Sequence, residues 1–185
     1  MFKVALLGGV HPDNELNTQC ELLAKKIMDR HWHVIVGVAA GPIAIFINTI
    51  FEFQDRRLTI ELIKYSNSRY INNIKVDKLV VVDDVFERLR IFAKCDAYVI
   101  AGGELGATTE LLVIWNFLLA QKILDKKIII MGDRAIERAN IIADSLKFSS
   151  EDYRLVLCPV RCHEEAVEIL DFSLKAKQRI FSRPL

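Results

Sequence analysis

The segment running from Asp96 to Glu110, Asp-Ala-Tyr-Val-Ile-Ala-Gly-Gly-Glu-Leu-Gly-Ala-Thr-Thr-Glu, carries the residue types that hold a phosphate ester and act on the group beside it. An apolar run leads into Gly102, Gly103 and Gly106, and a helical pattern follows directly. Glycines let the backbone take positive φ and let amides approach a ligand closely. Free N–H groups at a helix start add positive potential, so an anion is favoured there. The amides around Gly102, Gly103, Gly106 and Ala107 are therefore expected to cradle a phosphate, with Thr108 and Thr109 donating hydroxyl hydrogen bonds to the same oxygens. The plainer alternative is a tight turn with a capping threonine.

Glu110 lies four residues after Gly106 and is expected in the first turn of the helix, where the positive end would keep its carboxylate ionised. Facing the sugar of a bound nucleotide, such a carboxylate stabilises an oxocarbenium-like transition state or directs a water. A first-turn acid favoured only by the helix dipole is the simpler reading. Arg88 stands about one turn into a second strand-to-helix segment, Leu79 to Arg88. Its guanidinium suits bidentate phosphate contact, or it pairs with Asp84 at i−4 on the helix surface. Gly8 closes the first apolar run, and Gly37 and Gly41 bracket a small-residue turn after the second. These three glycines are weaker candidates for the same cleft.

Other chemistry finds less support. His31 and His33 straddle Trp32 at a strand entry, which suits a structural role. Cys158, Cys162 and His163 have no second ligand pair, so no metal is expected. A pyridoxal-dependent decarboxylase needs a Schiff-base lysine, and no lysine lies in the glycine-rich turns or between Leu79 and Arg88. No organic cofactor is implied.

Positioning these residues falls to alternating strands and helices. Strands are expected at Lys3–Leu7, His33–Val36, Leu58–Ile63, Lys78–Val82, Ala97–Ile100, Ile128–Met131 and Leu155–Cys158. Helices are expected from Asn14 to Arg30, Pro42 to Phe53, Asp84 to Lys94, Ala107 to Lys122, Ile136 to Leu146, and from Glu164 onward. Ser66 to Lys75 reads as a loop. Continuously apolar strands between helices indicate an α/β, Rossmann-like three-layer sandwich with a mostly parallel sheet of about seven strands. Ligands bind such sheets beyond the carboxyl ends of the strands, near the switch in strand order. The helix after Glu110 is apolar almost all round, which fits either a central helix or one buried against a partner.

The 185 residues, 52% of them hydrophobic, suit a single domain spanning 1–185. With 25 basic and 24 acidic residues the net charge is +1, which gives no electrostatic case for nucleic acid or an anionic membrane. The apolar run after Met1-Phe2-Lys3 is too short for a signal peptide, and the run Leu111 to Ala120 is too short for a membrane span. Four scattered cysteines point to a reduced, cytoplasmic setting.

Asp83-Asp84-Val85-Phe86-Glu87-Arg88, Cys95-Asp96-Ala97-Tyr98 and Gly102-Gly103…Gly106-x-x-x-Glu110 together resemble the LOG family of cytokinin-activating phosphoribohydrolases, formerly labelled possible lysine decarboxylases. The similarity extends through Trp115, Lys127–Met131 and the stretch beginning Phe148-Ser-Ser-Glu-Asp-Tyr. The resemblance implies hydrolysis of the N-glycosidic bond of a nucleoside 5′-monophosphate, with Arg88 and Glu110 at the catalytic positions and a homodimeric assembly. It places the 5′-phosphate on Gly102–Thr109, with the Gly37–Gly41 turn lining the cleft. The chain departs from the family at Val85 (Met in the family), Ala101 (Pro) and Ala107 (Thr). Glu104-Leu105 replaces a single loop residue, and Gly37-Val38-Ala39 replaces three glycines. These departures equally suit a non-catalytic nucleotide-binding or sensing protein, and Glu104 adds negative charge beside the expected phosphate.

Overall fold

A computed structural model describes residues 1–11, 13–37, 39–67, 74–147 and 155–181. Val38, most of the loop expected at Ser66 to Lys75, and Phe148 to Arg154 lie outside the described residues.

The strands are β1 (Phe2–Gly8), β2 (Trp32–Val36), β3 (Thr59–Tyr65), β4 (Lys78–Val82), β5 (Ala97–Ala101), β6 (Ile128–Met131) and β7 (Leu157–Val160). The helices are α1 (Asn14–Ile27), α2 (Gly41–Glu52), α3 (Val85–Ala93), α4 (Leu105–Ala120), α5 (Asp133–Ser145) and α6 (His163–Phe181). The expected α/β, three-layer architecture is present, with all seven strands parallel in the order β4-β3-β2-β1-β5-β6-β7.

The order follows from handedness. From β1 the chain steps outward through β2 and β3 to β4, then crosses back through α3 to β5 and continues outward to β7. Right-handed crossovers place connections running in opposite directions on opposite sheet faces. One face accordingly packs under α1, α2 and α6 through residues such as Leu23, Phe46, Ile47 and Leu170. The other packs under α3, α4 and α5 through Phe92, Leu111, Trp115 and Ala139. Beside β1 the connections after β1 and after β5 leave toward different faces, and a crevice opens between them.

Local signals explain most boundaries. Asp13 caps α1 by accepting from the Leu16 amide at 3.0 Å, and Asp84 caps α3 by accepting from the Glu87 amide at 2.8 Å. Glu87 returns the contact one residue early, accepting from the Asp83 amide at 3.3 Å.

The start of α4 and the end of β7 differ from expectation. Helix α4 begins at Leu105, so Gly106 lies inside the first turn; its amide needs no intrahelical partner there, which makes glycine tolerable. Strand β7 runs two residues past Cys158, through Pro159, to Val160. It is an edge strand, where a missing N–H removes no ladder bond.

Phe92 is fully buried beneath α3 and packs against the core of its face. Phe92→Ala is expected to lower stability by about 3–5 kcal/mol in urea unfolding. A loss below about 1 kcal/mol, the ordinary range of a lightly packed position, contradicts that packing.

Candidate functional site

A cleft of about 640 Å³ opens at the carboxyl ends of the central strands. Its floor is Gly8 and Gly9 at the end of β1 and Gly37 at the end of β2. Its walls come from the end of β3, the first turns of α3 and the start of α4. The location is the crevice that the change in strand direction leaves beside β1.

Arg88 and Glu110 meet in this cleft. The Arg88 guanidinium donates to Glu110 Oε1 at 2.6 Å, and each side chain is only 11% exposed. Arg88 lies 5.0 Å from the Tyr65 ring centroid and 5.4 Å from that of Phe92, within cation–π range of both. Its Nε is buried without a hydrogen-bond partner among the described residues. Asp84 spends its carboxylate on capping α3, and the i−4 pairing open to Arg88 from the sequence is not made.

Gly37 has a different part in the site from the one its sequence suggests. A Cβ there would stand 2.3 Å from an Arg88 nitrogen. The glycine makes room for the guanidinium.

Glu110 requires two corrections. Because α4 starts at Leu105, Glu110 belongs to the second turn and lies beyond the strongest part of the helix-end field. Burial pushes its carboxyl up from the ordinary 4.5, opposed by the charge of Arg88 and its hydrogen bond. Desolvation outweighs the neighbouring cation in this balance.

The glycine-rich turn divides into two parts. Gly106, Ala107 and Thr109 line the main cleft, and a Cβ at Gly106 would meet only open space. Gly102 and Gly103 instead line a cavity of about 20 Å³ behind it, about the room of one water. Gly102 takes φ +107 there. The two threonines are committed elsewhere than expected: Thr108 donates to the Gly103 carbonyl at 3.4 Å and Thr109 to the Leu105 carbonyl at 2.8 Å. Both hydroxyl protons are spent on the backbone because each side chain reaches a carbonyl of its own first turns. Gly8 lines the cleft, and a Cβ on it would collide with the Ala101 carbonyl at 2.5 Å. Gly41, at φ +54, faces the loop after β1. It is not among the residues lining the main cleft.

The sequence reading missed Lys64 and Tyr65. No lysine lies in the glycine-rich turns themselves, but Lys64 reaches the cleft from β3, and its side chain makes no hydrogen bond or ion pair with any described residue. Ending the third strand at Ile63 hid both, since the strand continues through them to Tyr65.

The histidines have structural settings. His33 Nε2 lies 3.0 Å from the buried Glu61 carboxylate, and His163 donates its backbone N–H to Gln19 Oε1 at 2.9 Å, with its ring Nδ1 3.0 Å from the same oxygen. Among the described residues, no group of three or more His, Cys, Asp or Glu side chains gathers to hold a metal. None of the described helices is long and apolar enough to cross a membrane.

No family model and no curated protein matches the sequence. Solved structures do. The chain is similar to the molybdenum cofactor carrier protein of Chlamydomonas reinhardtii, with 16% identity and TM-score 0.69 over 94% of this chain and 98% of that one. It is also similar to a molybdenum cofactor binding protein of the phototrophic bacterium Rippkaea orientalis, with 15% identity and TM-score 0.66 over 92% and 95%. A structural-genomics target, TM1055, gives 21% identity and TM-score 0.70 over 92% and 99%. The likeness at these identities is one of fold, and it spans nearly the whole of each chain.

Gly37→Ala is expected to push Arg88 off Glu110 and, with that cation withdrawn, to raise the Glu110 pKa above its value in the unaltered protein. Titration of the Glu110 carboxyl by NMR in both proteins checks this; an unchanged midpoint contradicts it.

Proposed function

We propose that the cleft binds a nucleoside 5′-monophosphate and hydrolyses its N-glycosidic bond, releasing free base and ribose 5-phosphate. The observation that carries this reading is the Arg88–Glu110 pair, held in a cleft beside the open first turn of α4. That turn has no side-chain cap on its amides, so a phosphate there meets N–H donors and the positive helix end. Arg88 holds Oε1 of Glu110 and leaves Oε2 to accept from a sugar hydroxyl or a water. As the glycosidic bond breaks, positive charge develops on the ribose, and the carboxylate lowers the energy of that charge. The pair together orient the acid. The resemblance to phosphoribohydrolases in these same positions supports the assignment.

A second reading is binding without turnover of a nucleotide or of a molybdenum cofactor. It is favoured by the fold neighbours, described as carrier and binding proteins, and by Glu104, whose acid lines the same cleft. Incubation with AMP, following free adenine by chromatography, separates the two. Release of base that Arg88→Ala and Glu110→Gln abolish supports hydrolysis; binding without release supports the second reading; no binding of any nucleoside monophosphate removes hydrolysis and the nucleotide form of the second reading. In the hydrolytic case Glu110 acts ionised while burial raises its pKa. kcat/KM should then fall on the acid side at a pH above 4.5.

The assembly proposed with this function is a homodimer through α3 and α4. Phe86 (67% exposed) and Leu105 (81%) stand beside Val85 and Val113 on two helices in mutual contact, adjoining the cleft. A second copy would remove this apolar surface from water. Light scattering at micromolar concentration should give twice the chain mass, reduced to the single mass by Phe86→Asp. A single-chain mass for the unaltered protein overturns the dimer.

A further inference from the structure

Glu104 occupies the N-cap position of α4, yet its side chain caps nothing there. Short side chains such as Ser or Asp fold onto the first amides of their helix. The longer Glu104 turns the opposite way, into the loop after β1. Its Oε1 accepts from the His11 amide at 3.3 Å. Its Oε2 lies where a Cβ on Gly9 would be, 1.3 Å from that position, and 3.2 Å from where a Cβ on Gly102 would be. The carboxylate thus fills the hollow left by two glycines that face each other across the turn. Oε2 is buried and has no hydrogen-bond partner among the described residues. A buried carboxylate oxygen without a donor is unfavourable, so this side chain is held in its seat by little beyond the one long contact to His11.

The same acid lines the main cleft and the small cavity behind it. A phosphate brought to the amides of Leu105, Gly106 and Ala107 would therefore arrive beside a negative charge already seated between the β1 loop and α4. We propose that Glu104 is a built-in electrostatic competitor for the ligand's phosphate: its carboxylate, seated between the β1 loop and the turn leading into α4, opposes an anion at the α4 amides, and a phosphate binds fully only when that side chain moves away. The inference rests on the reading of the cleft as a site for a phosphate-bearing nucleotide. It makes Glu104 a determinant of affinity and selectivity. Ligands must supply enough contact elsewhere, at Arg88, Glu110 and Lys64, to displace it, and a bare phosphate is rejected.

The test is titration calorimetry of the unaltered protein, Glu104→Gln and Glu104→Ala with AMP, ribose 5-phosphate and adenosine. Glu104→Gln keeps the shape and the acceptor for the His11 amide while removing the charge. Both variants should bind AMP and ribose 5-phosphate at least tenfold more tightly than the unaltered protein, with adenosine affinity unchanged. Equal or weaker phosphate binding in Glu104→Gln overturns the competitor role, and AMP binding by the unaltered protein then leaves the nucleotide reading standing. A gain for ribose 5-phosphate without AMP binding in any form upholds the competitor and removes the nucleotide reading. A parallel gain for adenosine overturns the inference, because it locates the effect away from the phosphate. Absence of binding by all three ligands to all three proteins overturns both.

Discussion

The contact between Arg88 and Glu110 joins two helices, α3 and α4, that enter the cleft from the ends of different strands. Both side chains are withdrawn from water, and that makes the contact consequential. Two buried charges lose hydration that their attraction roughly restores, but removing one leaves the other uncompensated. The surroundings are built accordingly. Gly37 gives up a side chain so that the guanidinium fits, Tyr65 and Phe92 offer ring faces to it, and Asp84 is occupied at its own helix cap. Burial that raises the Glu110 pKa and a cation that lowers it act on the same carboxyl, and burial prevails.

That contact exists because the chain reverses direction across the sheet. Strand β4 lies at one edge, and α3 must travel back over the sheet to reach β5 next to β1. The return lays α3 beside α4 on one face, so residues 22 positions apart become neighbours. The same reversal opens the crevice beside β1 that the ends of β1, β2 and β3 floor and wall. Fold and site are consequences of one crossover.

Charge within the cleft is unevenly committed. Among the described residues the Arg88 side chain is paired, that of Lys64 is not, and Glu104 is turned onto the β1 loop with one oxygen unsatisfied. An anionic ligand entering this field would meet the Lys64 cation and the opposing acid of Glu104. The glycines are likewise not equivalent: Gly106 leaves open space toward the ligand, Gly102 and Gly103 face a water-sized cavity, and Gly37 makes way for Arg88. The fold sets where a ligand goes, and the side chains set what happens to it.

Much of this molecule is written in local patterns. The continuous apolar run Ile128–Met131 coincides with β6 residue for residue, because burial on both faces admits little else. The β-branched run in Lys78–Val82 marks the edge strand β4 equally well. Capping at Asp13 and Asp84 depends on neighbours three residues away and is equally legible. Legibility ended where a residue's partner is distant in the chain. Pro159 within a strand is acceptable only because β7 is at the edge, and the start of α4 ahead of Gly106 depends on which amides are left free. Lys64 entered the site because β3 runs on past Ile63, and Gly37 serves Arg88 because the crossover brings α3 over the end of β2. The order of residues determined the elements and singled out Arg88 and Glu110. Only packing decided that they touch, that burial outweighs the pull of Arg88 on the Glu110 carboxyl, and that Glu104 folds away from its own helix. Those outcomes depend on desolvation and on contacts between segments remote in sequence, which no local pattern encodes.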